Sequence, residues 1–277
     1  MDNFTLSFLL KIIGLGSASG LLYHDKTILV IGDNSGFLTE YNIETKKIVQ
    51  HPIIENAKQN IEKKVKPDFE SITQFEDNIY IFGSGSTENR NKMVQVDAKS
   101  KKIIKTDDVT DLYLGMQSFA NLTPDEFNLE GSIYNGNQWF FVNRGNTKKS
   151  KNIIFTVTGK NLTDEFQIVA NKFKLPKIKG VKASFTDAIL VNDKIYFLAA
   201  AEDTDSTFFD GEILGSIIGC IDANSMTLDF TKKISKKNKF EGIALFEQSD
   251  KDITFLLCED NDTNTLESSI YKLVINK

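Results

Sequence analysis

Short apolar runs rich in Ile, Val, Phe and Tyr alternate along the chain with Asn, Asp, Gly and Ser, and helical periodicity is nearly absent. This pattern predicts many short strands joined by tight polar turns. One unit recurs: a polar or acidic opening, an apolar strand, a turn, a second apolar strand, then a small or charged cluster. The openings are Ala18-Ser19-Gly20-Leu21, Phe69-Glu70-Ser71-Ile72, Leu129-Glu130-Gly131-Ser132, Thr186-Asp187-Ala188-Ile189 and Phe240-Glu241-Gly242-Ile243. Aligned on Ser19, Glu70, Glu130, Asp187 and Glu241, they are spaced by 51, 60, 57 and 54 residues. The 36 residues after Glu241 and the first 19 together supply one more repeat, so the pattern closes after five units.

Each unit holds about four strands; in the second they begin near Ser71, Ile79, Lys92 and Lys102. The last unit has only three, Gly242–Phe246, Ile253–Cys258 and Ser269–Ile275, and Phe4–Ile12 can supply the fourth from the other end of the chain. Pairing the two termini in one blade is how a propeller avoids a long open edge. The expected fold is therefore all-β, a five-bladed β-propeller in one domain. Its blades fall at about 15–62, 63–122, 123–178, 179–235, and 236–277 joined by 1–14. Two β-sandwiches are the alternative, and they leave the wrap-around unexplained.

The turns between first and second strands read as His24-Asp25-Lys26, Glu76-Asp77-Asn78, Asn135-Gly136-Asn137, Asn192-Asp193-Lys194 and Gln248–Asp252. Antiparallel geometry then puts each first-strand start and second-strand end on one face of the disc. That mouth gathers Ser19, Glu70, Glu130, Asp187 and Glu241 with the clusters 32–35, 83–86, 143–146, 201–203 and 259–262. The connections Pro52–Lys66 and Asp111–Asn128 are expected over the same mouth as long loops.

Four carboxylates ringed about 7 Å apart at an effective dielectric of about 20 repel by roughly 2.4 kcal/mol per pair, and the ring by on the order of 10 kcal/mol. A bound cation, raised pKa values, or inward-reaching Lys and Arg must offset this. Oxygen donors without His or Cys favour Ca²⁺, with Mg²⁺ second, at Glu70, Glu130, Asp187 and Glu241.

Composition narrows the field. The net charge of -5 argues against a nucleic-acid binder. Two cysteines and two histidines exclude a disulfide scaffold and a zinc cluster. No apolar run is long enough for a membrane-spanning helix, and Phe8–Ile13, broken by Lys11, does not read as a secretory signal. A cytoplasmic monomer is expected, or a periplasmic one if a leader has been removed. His24 falls in a turn on the opposite face and His51 on an outer strand, so a Ser-His-Asp mechanism is excluded; Trp139 reads as blade packing. Of 33 basic residues only Arg90 and Arg144 are arginine, and both fall at the mouth.

The motifs Lys66-Pro67-Asp68-Phe69-Glu70, Gly83-Ser84-Gly85-Ser86 with Arg90, Asn128-Leu129-Glu130-Gly131, Arg144-Gly145-Asn146, Phe185-Thr186-Asp187-Ala188 and Gly211–Gly219 resemble a bacterial propeller family of unknown function over nearly the whole chain. More distantly, the acidic strand openings are similar to those of phytase-like or esterase-like propellers. They also resemble calcium-activated nucleotidases, in which acidic residues at this kind of position hold a central Ca²⁺.

Two functions follow as expectations. The first is metal-assisted hydrolysis of a phosphate ester or similar small anionic substrate. Asp68 or Glu202 would be the general base; Lys66, Arg90, Arg144, Asn146 and Glu259 would hold the substrate, with Ser84 and Ser86 offering a backbone N–H nest. The second is a non-catalytic propeller that binds a ligand or a protein loop. A glycosidase ranks last, because the mouth motifs carry few aromatics.

Overall fold

The computed structural model describes residues 4–145, 151–204, 211–260 and 265–277. Five four-stranded antiparallel sheets form the blades of a five-bladed β-propeller. Blade one is Ala18–His24, Thr27–Gly32, Phe37–Asn42 and Ile48–Pro52; blade two is Phe69–Phe75, Asn78–Gly83, Lys92–Asp97 and Ile103–Asp108. Blade three is Leu129–Tyr134, Trp139–Asn143, Asn152–Asn161 and Glu165–Phe173; blade four is Ser184–Val191, Lys194–Asp203, Glu212–Asp222 and Thr227–Lys233. Blade five is Lys239–Gln248, Asp252–Asp260 and Glu267–Asn276, completed by Phe4–Ile13, which pairs antiparallel with the last of these from Phe4↔Ile275 to Ile13↔Glu267. Each first strand touches the first strand of the next blade, and the fifth touches the first, which closes the ring.

Apolar runs without alternation form the inner strands, such as Trp139–Asn143, because both of their faces are covered, whereas outermost strands such as Glu165–Phe173 alternate exposed and half-buried positions. Successive side chains point to opposite faces. In blade three, Trp139 and Phe141 join Phe82 of blade two, while Phe140 and Val142 join Phe185 and Phe197 of blade four. Five buried clusters result, one at each blade–blade boundary. Trp139 packs as expected, its ring 4.4 Å from that of Tyr134 and 5.5 Å from that of Phe82. The turns also fall as read: Asp25, Glu76 and Asn192 adopt positive φ, the backbone that two-residue hairpin turns require.

One connection differs from its reading. Thr110–Ala120 is an α-helix, not part of a loop over the mouth. It buries Leu112, Tyr113, Met116 and Ala120 against the cluster between blades two and three, and Gly115 lets Phe166 and Ile168 of the outer strand approach. Apolar residues recur at helical spacing for only two or three turns here, a signal masked by the surrounding strand pattern.

The first strands share a device that the sequence concealed. Each carries a β-bulge at its opening, where Ser19, Glu70, Glu130, Thr186 and Glu241 are left without a partner on the second strand. The structural repeat is therefore aligned on Thr186, not Asp187. Four blades place a small residue directly after the bulge (Gly20, Ser71, Gly131 and Gly242), and blade four places Asp187 there.

Candidate functional site

The bulges aim three glutamates at a common region. Burial raises the pKa values of Glu70, Glu130 and Glu241, and each lies within electrostatic range of another of the three. Residues two positions earlier share their face of the strand. They add Lys239, with Asp68 and Asn128 just ahead of their strands, while the second strands contribute Glu202 and Asp260 and the positions directly after them Asp33 and Arg144.

Blades three to five form one half of the mouth. Arg144 is buried and forks between blades: its Nη1 donates to Glu130 Oε1 at 3.1 Å, and its Nη2 donates to Glu202 Oε2 at 2.5 Å. Glu241 Oε1 lies 4.0 Å from the same Nη1. Asn128 Nδ2 also donates to Glu130, at 2.5 Å, and Gly211 N donates to the other oxygen of Glu202 at 2.6 Å. Lys239 Nζ lies 2.9 Å from Glu241 Oε1 and 3.4 Å from Asp260 Oδ2. Burial works against the cationic form of Arg144, but Glu130, Glu202 and Glu241 outweigh it and raise its pKa further.

Blades one and two form the other half. Asp68 accepts from Lys66 Nζ at 2.6 Å, Ser84 Oγ at 2.5 Å and Arg90 Nη1 at 2.7 Å. Lys66 Nζ also donates to Asp33 Oδ2. Asp68 adopts a φ of +54°, an uncommon backbone for a non-glycine residue and a local cost stored beside the site. Gly83 makes the approach possible, since a Cβ there would collide with the Arg90 carbonyl.

Two groups in this half have unused capacity. Asp33 Oδ1 is shut off from solvent and accepts no hydrogen bond. Glu70 is half-buried and has no hydrogen-bond or ion-pair partner among the described residues. Its pKa is held well above the ordinary value, first by burial and then by Asp68, Glu130, Asp33 and Glu241. Oxygens of Asp33, Asp68 and Glu70 lie within 4.8 Å of one another, close enough together that they could hold a metal ion.

Several expected roles change. Asp187 is not a fourth member of the glutamate set, because it sits one residue beyond the bulge and a one-residue offset turns a side chain to the other face. It is buried, accepting from Ala188 N at 2.7 Å and from Ile243 N of blade five at 2.8 Å, which ties blades four and five together. In its place Thr186 follows Ser19: both hydroxyls donate to the carbonyl of a phenylalanine in the next blade, Phe240 and Phe69. Glu259 faces away from the acidic trio, accepting from Asn238 at 2.6 Å and Tyr271 at 2.9 Å. Alternation along the strand sends Asp260 to Lys239 instead. Ser84 and Ser86 form no open N–H nest: Ser84 N donates to the Asp68 carbonyl, Ser86 N to Ser84 Oγ, and the Ser86 hydroxyl accepts from Arg90 Nη1 at 2.7 Å. Arg90 also donates to the Lys63 carbonyl at 2.9 Å. Asn146 lies outside the described residues. Asp33 and Asp260 were read into the mouth clusters without a role, and Lys239 was missed; counting two positions back from each bulge would have found Lys239.

The fold and the mouth together define a class: a five-bladed propeller whose axis opens on a buried, ion-paired cluster. The chain belongs to DUF6929, a family of unknown function, whose model matches residues 14–275. No curated protein matches it. Among solved structures it is similar to the major allergen Mala s 1 of Malassezia sympodialis, with a TM-score of 0.59, 9% identity, and coverage of 99% of this chain and 96% of that one. It is also similar to a Parabacteroides distasonis protein provisionally described as a glycoside hydrolase, with a TM-score of 0.54, 12% identity, and coverage of 100% and 97%. Identities this low speak to the fold alone.

Proposed function

We propose that this protein is a divalent-cation-dependent ligand-binding propeller. Calcium is held by Asp33, Asp68 and Glu70, and a small anionic ligand of the phosphate-ester class is held through it. The observation that carries this reading is Glu70, a carboxylate with no hydrogen-bond or ion-pair partner among the described residues, beside two others within 4.8 Å. An all-oxygen donor set suits a hard cation, and calcium accepts an irregular set more readily than magnesium. Charge supports the order of binding. Asp33, Asp68, Glu70, Glu130, Glu202, Glu241 and Asp260 outnumber Lys66, Arg90, Arg144 and Lys239. Once these carboxyls are ionised, a free anion is repelled until a cation is in place.

Titration calorimetry tests this. Calcium is expected to bind the wild-type protein and not Glu70→Gln, and inorganic phosphate to bind only in the presence of calcium. A wild-type protein that gives neither heat nor a thermal shift with calcium or magnesium ends the proposal.

Hydrolysis is a second reading, favoured by one observation. Glu70 combines free lone pairs with a pKa that burial and neighbouring carboxylates raise, as befits a carboxylate that accepts and returns a proton. Asp68 and Glu202 already accept two or more donors each and are poorly placed for that task. A calcium-supplemented panel of phosphoesters, nucleotides and lactones decides it: absence of turnover removes hydrolysis and leaves binding untouched.

A further inference from the structure

We propose that Lys66 is the resident cation of an exchange site: a divalent ion binding at Asp33, Asp68 and Glu70 displaces its ammonium, and the displaced ammonium then holds the anionic part of the ligand. This inference rests on the cation-binding reading above and adds the step that links cation to anion.

The geometry centres on Nζ of Lys66. It contacts Asp33 Oδ2 and lies 2.6 Å from Asp68 Oδ1, so it occupies two of the three carboxylates of the acidic trio. It leaves the trio incompletely served, because Asp33 Oδ1 accepts nothing and Glu70 has no hydrogen-bond or ion-pair partner among the described residues. A divalent ion able to use all three carboxylates meets the Lys66 ammonium at Asp33 and Asp68, and the two cations repel at contact distance.

Lys66 differs from the other cations of the mouth in what the metal would take from it. Arg90 keeps Ser86 and the Lys63 carbonyl whatever happens at Asp68. Arg144 is held by Glu130 and Glu202, and Lys239 by Glu241 and Asp260, all outside the trio. Both carboxylate partners of Lys66 belong to the trio. Its main chain is fixed, since Lys66 N donates to the Glu62 carbonyl at 2.9 Å and its own carbonyl accepts from Asn89 Nδ2 at 3.3 Å. Pro67 restricts the next step of the backbone. Displacement therefore swings only the flexible side chain, which keeps the ammonium tethered beside the ion. An ammonium released next to a bound cation is the point charge that an incoming phosphate lacks in the cation-free mouth.

Two measurements test the exchange. Lys66→Met removes the competitor, so calcium is expected to bind at least ten-fold more tightly than to the wild type, while phosphate binding in saturating calcium weakens at least ten-fold. Independently, mild acetylation of the intact wild-type protein read by mass spectrometry reports the amine itself, and calcium is expected to raise labelling of Lys66 several-fold by freeing it from its ion pairs. Should Lys66→Met fail to fold, the acetylation result stands alone. Equal calcium affinity in wild type and Lys66→Met, or protection of Lys66 by calcium, overturns the exchange and leaves cation binding intact. If neither protein binds calcium, the cation reading falls and the exchange with it.

Discussion

Glu130 Oε1 lies 3.1 Å from Nη1 of Arg144, and the two residues are 14 apart in sequence. One opens the first strand of blade three and the other follows the end of its second, so an antiparallel pair returns them to the same face. The same guanidinium reaches Glu202 of blade four and approaches Glu241 of blade five. One of only two arginines in the chain thus joins three blades at the axis.

Arg144→Met should be strongly destabilising. It leaves Glu130 and Glu202 buried without their counter-charge, which costs about 3–5 kcal/mol, or on the order of 10 °C in Tm. Arg144→Lys should recover little, because an ammonium cannot fork to two carboxylates. Thermal unfolding by circular dichroism checks both, and a wild-type Tm for Arg144→Met contradicts the clasp.

Stability should fall as pH rises above the ordinary carboxylate range. Glu70, Glu241 and Asp187 have folded pKa values raised well above their ordinary ones, so the folded state holds protons that the unfolded chain has released. The stabilisation these groups give is present below their ordinary values, 4.5 for the glutamates and 3.8 for Asp187, and is lost as pH climbs through the raised values. The surface aspartates whose pKa values are lowered titrate below this window. Glu70→Gln should flatten the slope, and saturating calcium should do the same in the wild type. A Tm that rises steadily from pH 5 to 8 contradicts this.

Asp187→Ala should cost about 1–3 kcal/mol by leaving the buried Ile243 N–H of blade five without its acceptor. Calcium affinity should be unchanged, because Asp187 belongs to the blade four–five tie and not to the trio. A loss of calcium binding without a loss of stability would return Asp187 to the metal site.

Deleting residues 4–13 should open the ring. Ile12 is fully buried between blades five and one, and its strand covers the edge of Glu267–Asn276. The expected outcome is a broadened thermal transition and concentration-dependent aggregation, because the deletion exposes an unpaired strand edge. A monodisperse protein with a sharp transition by light scattering and calorimetry argues that closure is dispensable.

How much of this was legible without coordinates follows from which forces act locally. Strands and turns were readable, because short apolar runs and the polar, positive-φ turn positions that break them are written into neighbouring residues. The closure of five blades was readable too, as a sum of repeat lengths. The helix Thr110–Ala120 was not, since its apolar face is short and its stability comes from packing on Phe166 and Ile168.

The site divides in the same way. The sequence by itself determined that Glu70, Glu130 and Glu241 open their strands and that Arg90 and Arg144 lie near the mouth, because strand direction alone fixes which ends meet. Only the tertiary structure decided that Asp187 turns aside, that Asp260 rather than Glu259 meets Lys239, and that Lys66 settles between Asp33 and Asp68. Those outcomes depend on a bulge of one residue and on which charges meet across blades, and burial and Coulomb energy between distant segments leave no local pattern to read.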